Sequence, residues 1–359
     1  MNRNLSDALQ STLVDITSTG AEVHARGQNQ REIIGYRTVM ASPQERIVVL
    51  PGRKNNVFAQ IAESLWVLSG RNDLEFLSRY LPRAADFSDD GKTWRAAYGP
   101  RLRNWHGKVD QLAGVVHRFR QDINTKRAVA SIFDPAEDFV DSKDIPCNNW
   151  LHFIQRDGLL HLNVSVRAND AIWGFSGINV FEWSVTQEVI AATLGLAVGN
   201  MNWFVGSMHV YERHYAVADQ IVANGHVASP YHYGVRSLPI LSNLDQFDAG
   251  VKQIFDIEQA FRAGDFTSSN GLTDPFLAGA EMMLRIYNMH LHELPREVIA
   301  ESIFELPPSD FRVAAVEYFA RKWGLGAFDD QLLTPSERAF LSFHGSYGSP
   351  IDFEQYTLV

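Results

Sequence analysis

A single cysteine, Cys147, in a chain of 359 residues limits the fold before anything else does. One thiol can form no intrachain disulfide, and no cysteine cluster can hold a zinc ion. Stability must then come from a buried apolar core. The composition permits one, with 45% hydrophobic and 21% charged residues, as in an ordinary globular protein. The length suits one large domain with an extension, or two domains. The lone cysteine is either a small buried hydrophobe or a nucleophile, and its neighbours must decide which.

The formal net charge of -10 argues against a surface for duplex nucleic acid, so any bound phosphate needs a local cluster of Arg and Lys. Met1 to Gly20 has no apolar core of the kind a signal peptide carries. No run of about 18 uninterrupted apolar residues exists, which predicts no membrane span and a cytoplasmic location. No metal site is expected.

The hydrophobic spacing predicts a helix over Ser6 to Ser18 with Ser6 as its cap, and a buried helix over Val57 to Leu68 ended by Gly70. Ile33-Ile34 and Ile47 to Leu50 read as strands separated by Pro43. Ala84 to Tyr98 reads as loop, Val109 to Gln121 as helix and Ala128 to Phe133 as a short strand. Leu151 to Gln155 and Leu160 to Val166 form a hairpin across Arg156-Asp157-Gly158. Phe181 to Leu194 is a helix stopped by Gly195, and Val198 to Val210 a strand that enters a helix near Tyr211. Beyond Asp245 the pattern is helical, over Val251 to Arg262, Pro275 to His290 and Asp310 to Lys322. The class is α+β. Residues 1–240 form a catalytic core and 241–359 a mainly helical extension packed on it.

Around Cys147 the residue types suggest chemistry. Pro146 partly fixes the residue after it, in a loop that a cavity can reach. Twenty residues on stands Arg167, with Asp170 at the following turn. A guanidinium near a thiol favours the thiolate, the reactive form, and a free thiol titrating at about 8.5 needs such help at neutral pH. The bland alternative is an ion pair between Arg167 and Asp170 on the surface.

Pro146-Cys147, then Arg167-Ala168-Asn169-Asp170, Gly174, Asn179 and His209-Val210-Tyr211 with His214, resembles the signature of thymidylate synthases and the related pyrimidine nucleotide hydroxymethylases. Glu63-Ser64-Leu65-Trp66 is similar to the helix that carries the family's catalytic glutamate. Tyr98-Gly99 is similar to its Tyr-Gly turn, and Thr125-Lys126-Arg127 to its paired basic residues. The likeness covers roughly residues 20 to 220. It implies a thymidylate-synthase-like mixed sheet with flanking helices and a helical C-terminal extension.

The resemblance also implies roles. Cys147 would add to C6 of a pyrimidine and make C5 enolate-like, the logic of covalent catalysis. C5 would then attack the methylene of 5,10-methylenetetrahydrofolate. Glu63 would handle protons through ordered water, with Tyr98 in the same network. Its neighbours Ile61, Leu65 and Trp66 suggest burial and a raised pKa. Asp170 would bind the pterin and Arg167 the phosphate of a pyrimidine nucleoside monophosphate, since forked guanidinium donors suit phosphate. Arg26 would add a phosphate contact. His209 and Tyr211, on one face of a strand, would hold the sugar 3′-hydroxyl. Lys126 and Arg127 would reach into a second subunit, which implies a homodimer.

Asn179 bears on the base. A carboxamide can donate to O4 of uracil and accept from N3–H, whereas the family's cytosine-using hydroxymethylases tend to carry aspartate here. The spacing from Gly174 to Asn179 is one residue longer than in synthases. Asn148 replaces the synthase histidine, Ala168 replaces the serine after the arginine, and the closing C-terminal tail is not recognisable in Phe353 to Val359. These departures favour hydroxymethylation of deoxyuridylate. A methyl-forming thymidylate synthase, a dCMP or CMP hydroxymethylase, and an inactive nucleotide-binding scaffold are the alternatives.

Overall fold

The computed structural model describes residues 1–25 and 27–345. Leu160, Leu162, Val164 and Val166 alternate with His161, Asn163, Ser165 and Arg167, and the fold turns this alternation into a strand with one buried face. The strands are β1 (Ala21–Ala25), β2 (Gln28–Met40), β3 (Ala128–Ser131), β4 (Asn148–Arg156), β5 (Leu159–Asp170) and β6 (Ala197–Tyr211). They form one six-stranded sheet in the order β1-β2-β6-β5-β4-β3. Every neighbouring pair is antiparallel except β5 and β6, so the sheet is mixed. The β4–β5 hairpin turns at Asp157 and Gly158, with φ of 53° and 77°. Such left-handed pairs make the tight turns whose twist matches flanking strands.

The parallel pair needs a crossover, and the chain supplies it as a helix. Between β5 and β6 run a π-helical segment (Ala171–Asn179) and α6, as numbered below (Val180–Leu194), capped by Gly195 at φ 65°. The helices before it are α1 (Leu5–Thr19), α2 (Val57–Leu68), α3 (Leu74–Tyr80), α4 (Tyr98–Arg103) and α5 (Gln111–Gln121). After β6 come α7 (Tyr215–Ala223), α8 (Leu244–Arg262), α9 (Pro275–Leu291), α10 (Arg296–Glu305), α11 (Asp310–Trp323) and α12 (Pro335–Gly345). All residues of α2 are buried, because sheet-side and C-terminal helices enclose it from both sides. Phe58 on α2 stacks on Tyr287 of α9 at 5.0 Å and meets Tyr318 of α11 edge-on at 5.0 Å.

Several local expectations change. Asn4, not Ser6, caps α1, accepting from the Asp7 N–H at 3.0 Å, while Ser6 is buried as the second residue of the helix. Ile47 to Leu50 is fully buried but joins no ladder. The Tyr231 hydroxyl takes the Ile47 N–H at 3.0 Å, so an apolar run is satisfied without a strand partner. Part of the stretch read as loop, Ala84–Phe87, is a 3-10 turn, and α4 begins at Tyr98 itself. The helix α10 has no counterpart in the spacing analysis, its buried face being only Ile299, Ala300, Ser302 and Ile303.

Asn56 caps α2 by accepting from the Ala59 N–H at 3.1 Å. Asn56→Ala should cost about 1 kcal/mol, the usual value of such a cap. Chemical denaturation of parent and variant will read it as a lowered midpoint at unchanged slope.

Candidate active site

β4 begins one residue after Cys147, and β5 carries Arg167 back alongside it. The Arg167 N–H donates to the Cys147 carbonyl at 2.8 Å. The Arg167 side chain then reaches the same loop: Nε donates to Pro146 O and Nη2 to Ile145 O, each at 2.9 Å. Nη2 lies 3.7 Å from Cys147 Sγ. Pro146 is buried and Cys147 only partly so. A cation at this distance favours the thiolate. Arg167 is thus engaged with the cysteine loop and makes no surface pair with Asp170.

Asn148 is fully buried behind Cys147. Its Oδ1 accepts from Trp183 Nε1 at 3.0 Å, and its Nδ2 donates to Tyr98 Oη at 2.9 Å. An indole N–H can only donate, so the amide orientation is determined and Tyr98 accepts. Burial, with Cys147 and Glu182 nearby, pushes the Tyr98 phenol well above its ordinary value.

Glu63 projects from α2 and is 7% exposed, with Oε2 lacking a hydrogen-bond partner among the described residues. Burial alone pushes its carboxyl up to about 8. Glu182 on α6 is fully buried with neither oxygen paired, and burial followed by the charge of Glu63 pushes it well above the ordinary range. The Asn179 amide draws it only partly back, without completing a hydrogen bond to either oxygen. The pair is therefore a neutral or singly ionised unit at neutral pH.

At the sheet's other end of this region Asp170 lies opposite His209 in the β5–β6 register. Asp170 Oδ1 accepts from Ile172 N at 2.9 Å, and Oδ2 lies 3.6 Å from His214 Nδ1. Burial pushes this carboxyl up, but His214, then His209 and the Ile172 N–H, outweigh it and hold it below its ordinary value. His209 Nδ1 lies 3.2 Å from Ser207 O, a pure acceptor, so Nδ1 carries a hydrogen, and Nε2 is buried with no hydrogen-bond partner among the described residues. The His209 and Tyr211 rings meet edge-on at 4.8 Å. Arg53 is also buried here, donating to Ile172 O at 2.7 Å; burial lowers it to about 10 against the pull of Asp170.

Within one chain the structure brings Cys147, Arg167, Tyr98 and Glu63 into one neighbourhood, with Asp170, His209, Tyr211 and Asn179 beside the β5 terminus. Lys126 and Arg127 stand elsewhere. β3 pairs Ala128 with Phe153, six strand residues from Cys147, which is roughly 20 Å. Both are exposed and line a cleft of about 460 Å³ with Arg118 and Asn124. Arg26 lies outside the described residues. Sequence reasoning missed Glu182, Trp183 and Arg53 as parts of this region. The available signal was Glu182 between Phe181 and Trp183, a carboxyl on an otherwise apolar stretch of helix.

Residues 8–254 match the sequence model of the thymidylate synthase family, and the chain belongs to that family. It is 39% identical over 213 residues to the deoxyuridylate hydroxymethyltransferase of Bacillus phage SP01, covering 55% of this chain and 56% of that protein. It is 32% identical over 229 residues to the enzyme of that name from Delftia phage PhiW-14, covering 60% and 62%, and 35% over 213 residues to that of Pseudomonas phage M6, covering 58% and 60%. The matches thus span about three-fifths of these relatives' length. Among the described residues no helix is long and apolar enough to cross a membrane.

The raised Glu63 pKa sets a pH dependence. The folded state holds this proton from about 4.5, the ordinary value, up to about 8, while the unfolded state releases it. In that window the native state binds more protons, so stability falls as pH rises. Glu63→Gln removes the effect. Denaturation profiles should show the variant gaining on the parent from about pH 4.5 to about pH 8, and a constant difference would contradict a buried, proton-retaining Glu63.

Proposed function

We propose that this chain transfers a one-carbon unit to C5 of deoxyuridylate and releases the 5-hydroxymethyl nucleotide, with Cys147 as the covalent nucleophile. The observation that carries the reading is the Cys147 sulfur 3.7 Å from the Arg167 guanidinium, in a family whose chemistry begins with a thiolate. The relatives named deoxyuridylate hydroxymethyltransferase support the choice of base and of product.

The thiolate forms a bond to C6 while the C5–C6 π pair moves to C5, which becomes the nucleophile. Once C5 carried its new carbon it would lose a proton and the carrier would leave with the carbon–nitrogen bond pair; water would then add to the exocyclic methylene to give the hydroxymethyl group, and expulsion of the Cys147 thiolate from C6 would restore the ring double bond. Glu63, protonated at neutral pH, would supply and retrieve protons through water, and Tyr98, its phenol pushed up by burial, would keep its hydroxyl hydrogen for that network. His209 Nε2, buried with no hydrogen-bond partner among the described residues, suits a sugar hydroxyl, with Tyr211 beside it. The guanidinium edge of Arg167 not spent on the loop carbonyls suits phosphate.

A folate carrier fits the residues present. Asp170 Oδ2 is a buried acceptor with no hydrogen-bond partner among the described residues, on a carboxylate held ionised, as pterin N–H donors require. When bound, 5,10-methylenetetrahydrofolate supplies a carbon at the oxidation level of formaldehyde. Lys126 and Arg127, too far from Cys147 in their own chain, would serve a second copy. The sheet face bearing His161, Asn163 and Phe204 is not covered by any of the described helices and holds a cleft of about 310 Å³ that includes Arg167. A homodimer through that face is part of the proposal.

Incubation with dUMP, dCMP, UMP or CMP and methylenetetrahydrofolate, read by mass spectrometry, tests it. A gain of about 30 Da on dUMP is expected (a hydroxymethyl group; a methyl group adds about 14 Da). Methyl product, a preference for cytosine, or no product with any nucleotide would each replace the reading. Cys147→Ala should abolish turnover while dUMP still binds in calorimetry, and surviving turnover would remove Cys147 from its role.

A further inference from the structure

Asn179 does not choose its own orientation. Trp203 on β6 donates from Nε1 to Asn169 Oδ1 at 3.1 Å, and Asn169 Nδ2 donates to Asn179 Oδ1 at 3.1 Å. Trp203 is fully buried and Asn169 is 2% exposed, so water cannot readily replace either partner. The indole N–H is a donor only, which forces the Asn169 oxygen to face it. The remaining group of Asn169 is then NH2, a donor only, which forces the Asn179 oxygen to face Asn169. What Asn179 presents on its other side is therefore NH2.

Two features of the backbone keep this relay in register. The segment Ala171–Asn179 is π-helical, a form that fits an extra residue into a helical turn. Gly174 lies against the Asn169–Asn179 hydrogen bond, and a Cβ there would collide with Asn169 Nδ2. Only glycine leaves the bond room.

We propose that Asn169, itself oriented by Trp203, is the positioning residue that makes the site discriminate uracil from cytosine. This rests on the reading that Asn179 faces the base. With its NH2 outward, Asn179 donates to an acceptor, the O4 of uracil, and its oxygen keeps a second lone pair for N3–H. Cytosine offers an amino donor at the same place. To accept from it Asn179 must flip, which sets its NH2 against the NH2 of Asn169 in a buried position. Two buried donors facing each other forfeit a hydrogen bond and leave a group unsatisfied, a penalty worth roughly tenfold or more in affinity.

Calorimetric titration of dUMP and dCMP into parent, Asn169→Leu, Trp203→Phe and Asn179→Asp proteins tests the relay without requiring turnover. Asn169→Leu should reduce the dUMP:dCMP affinity ratio roughly tenfold or more, because a freed Asn179 can flip at little cost. Trp203→Phe, which retains the ring against Phe175, should shift the ratio the same way by less. A merely structural role would weaken both nucleotides equally. If Asn169→Leu does not fold, Trp203→Phe decides alone. A parental ratio in the relay variants, with a changed ratio in Asn179→Asp, overturns the relay and leaves the base-facing reading intact. A parental ratio in Asn179→Asp overturns both.

Discussion

Arg167 ties three consecutive residues of one loop to one strand, and the geometry of the Cys147 sulfur depends on that tie. Its backbone N–H holds the Cys147 carbonyl, and its guanidinium holds those of Pro146 and Ile145. Hydrogen bonds from a charged donor are worth about 1.5–3 kcal/mol each. Two of them compensate a loop that has no ladder of its own until β4 begins. The same guanidinium supplies the charge beside the sulfur. Loop order and the positive charge beside the sulfur thus come from one side chain, and lysine, with a point charge and no planar fork, cannot supply both.

The carboxyl side of the pocket works by the opposite means. Among the described residues no cation lies beside Glu63 or Glu182, and burial raises both. Asp170, equally buried, is kept ionised by His214 and His209. Three carboxyls in one region are thus driven to different protonation states by their surroundings. Divergent pKa values of this kind let acid and anion functions coexist at one pH. The cost is a set of desolvated polar groups, and enclosure of α2 by the C-terminal helices offsets it.

Legibility in the sequence followed the range of the interactions. Helices with a strong apolar stripe, such as Val57–Leu68, and strands with clean alternation, such as β5, were readable because their pattern is local. Cys147, Arg167 and Asp170 were readable from residue order, since strand β5 carries two of them. Glu182 and Arg53 were not, because their significance lies in what is missing around them after folding. The strand expected at Ile47 to Leu50 failed for a related reason. Apolar content reports burial, and burial can be reached with a side-chain partner, here the Tyr231 hydroxyl, in place of a ladder. The Asn169 relay was invisible too, since Trp203 lies 34 positions away.

The C-terminal helices bear on the site through α2 and its neighbours. Arg103 of α4 donates to both carboxylate oxygens of Asp248 on α8, at 2.8 and 2.6 Å. Tyr80 of α3 donates to Glu258 of α8 at 2.7 Å and accepts from Asn288 of α9 at 2.8 Å. Phe58, one and a half turns from Glu63 on α2, is enclosed by Tyr287, Tyr318 and Phe319. A buried carboxyl keeps a raised pKa only while water stays out. If α2 faced solvent on that side, fluctuations would admit water and Glu63 would ionise in the ordinary carboxylate range. The aromatic cluster on the far face of α2 therefore acts on the protonation of Glu63 at the near face.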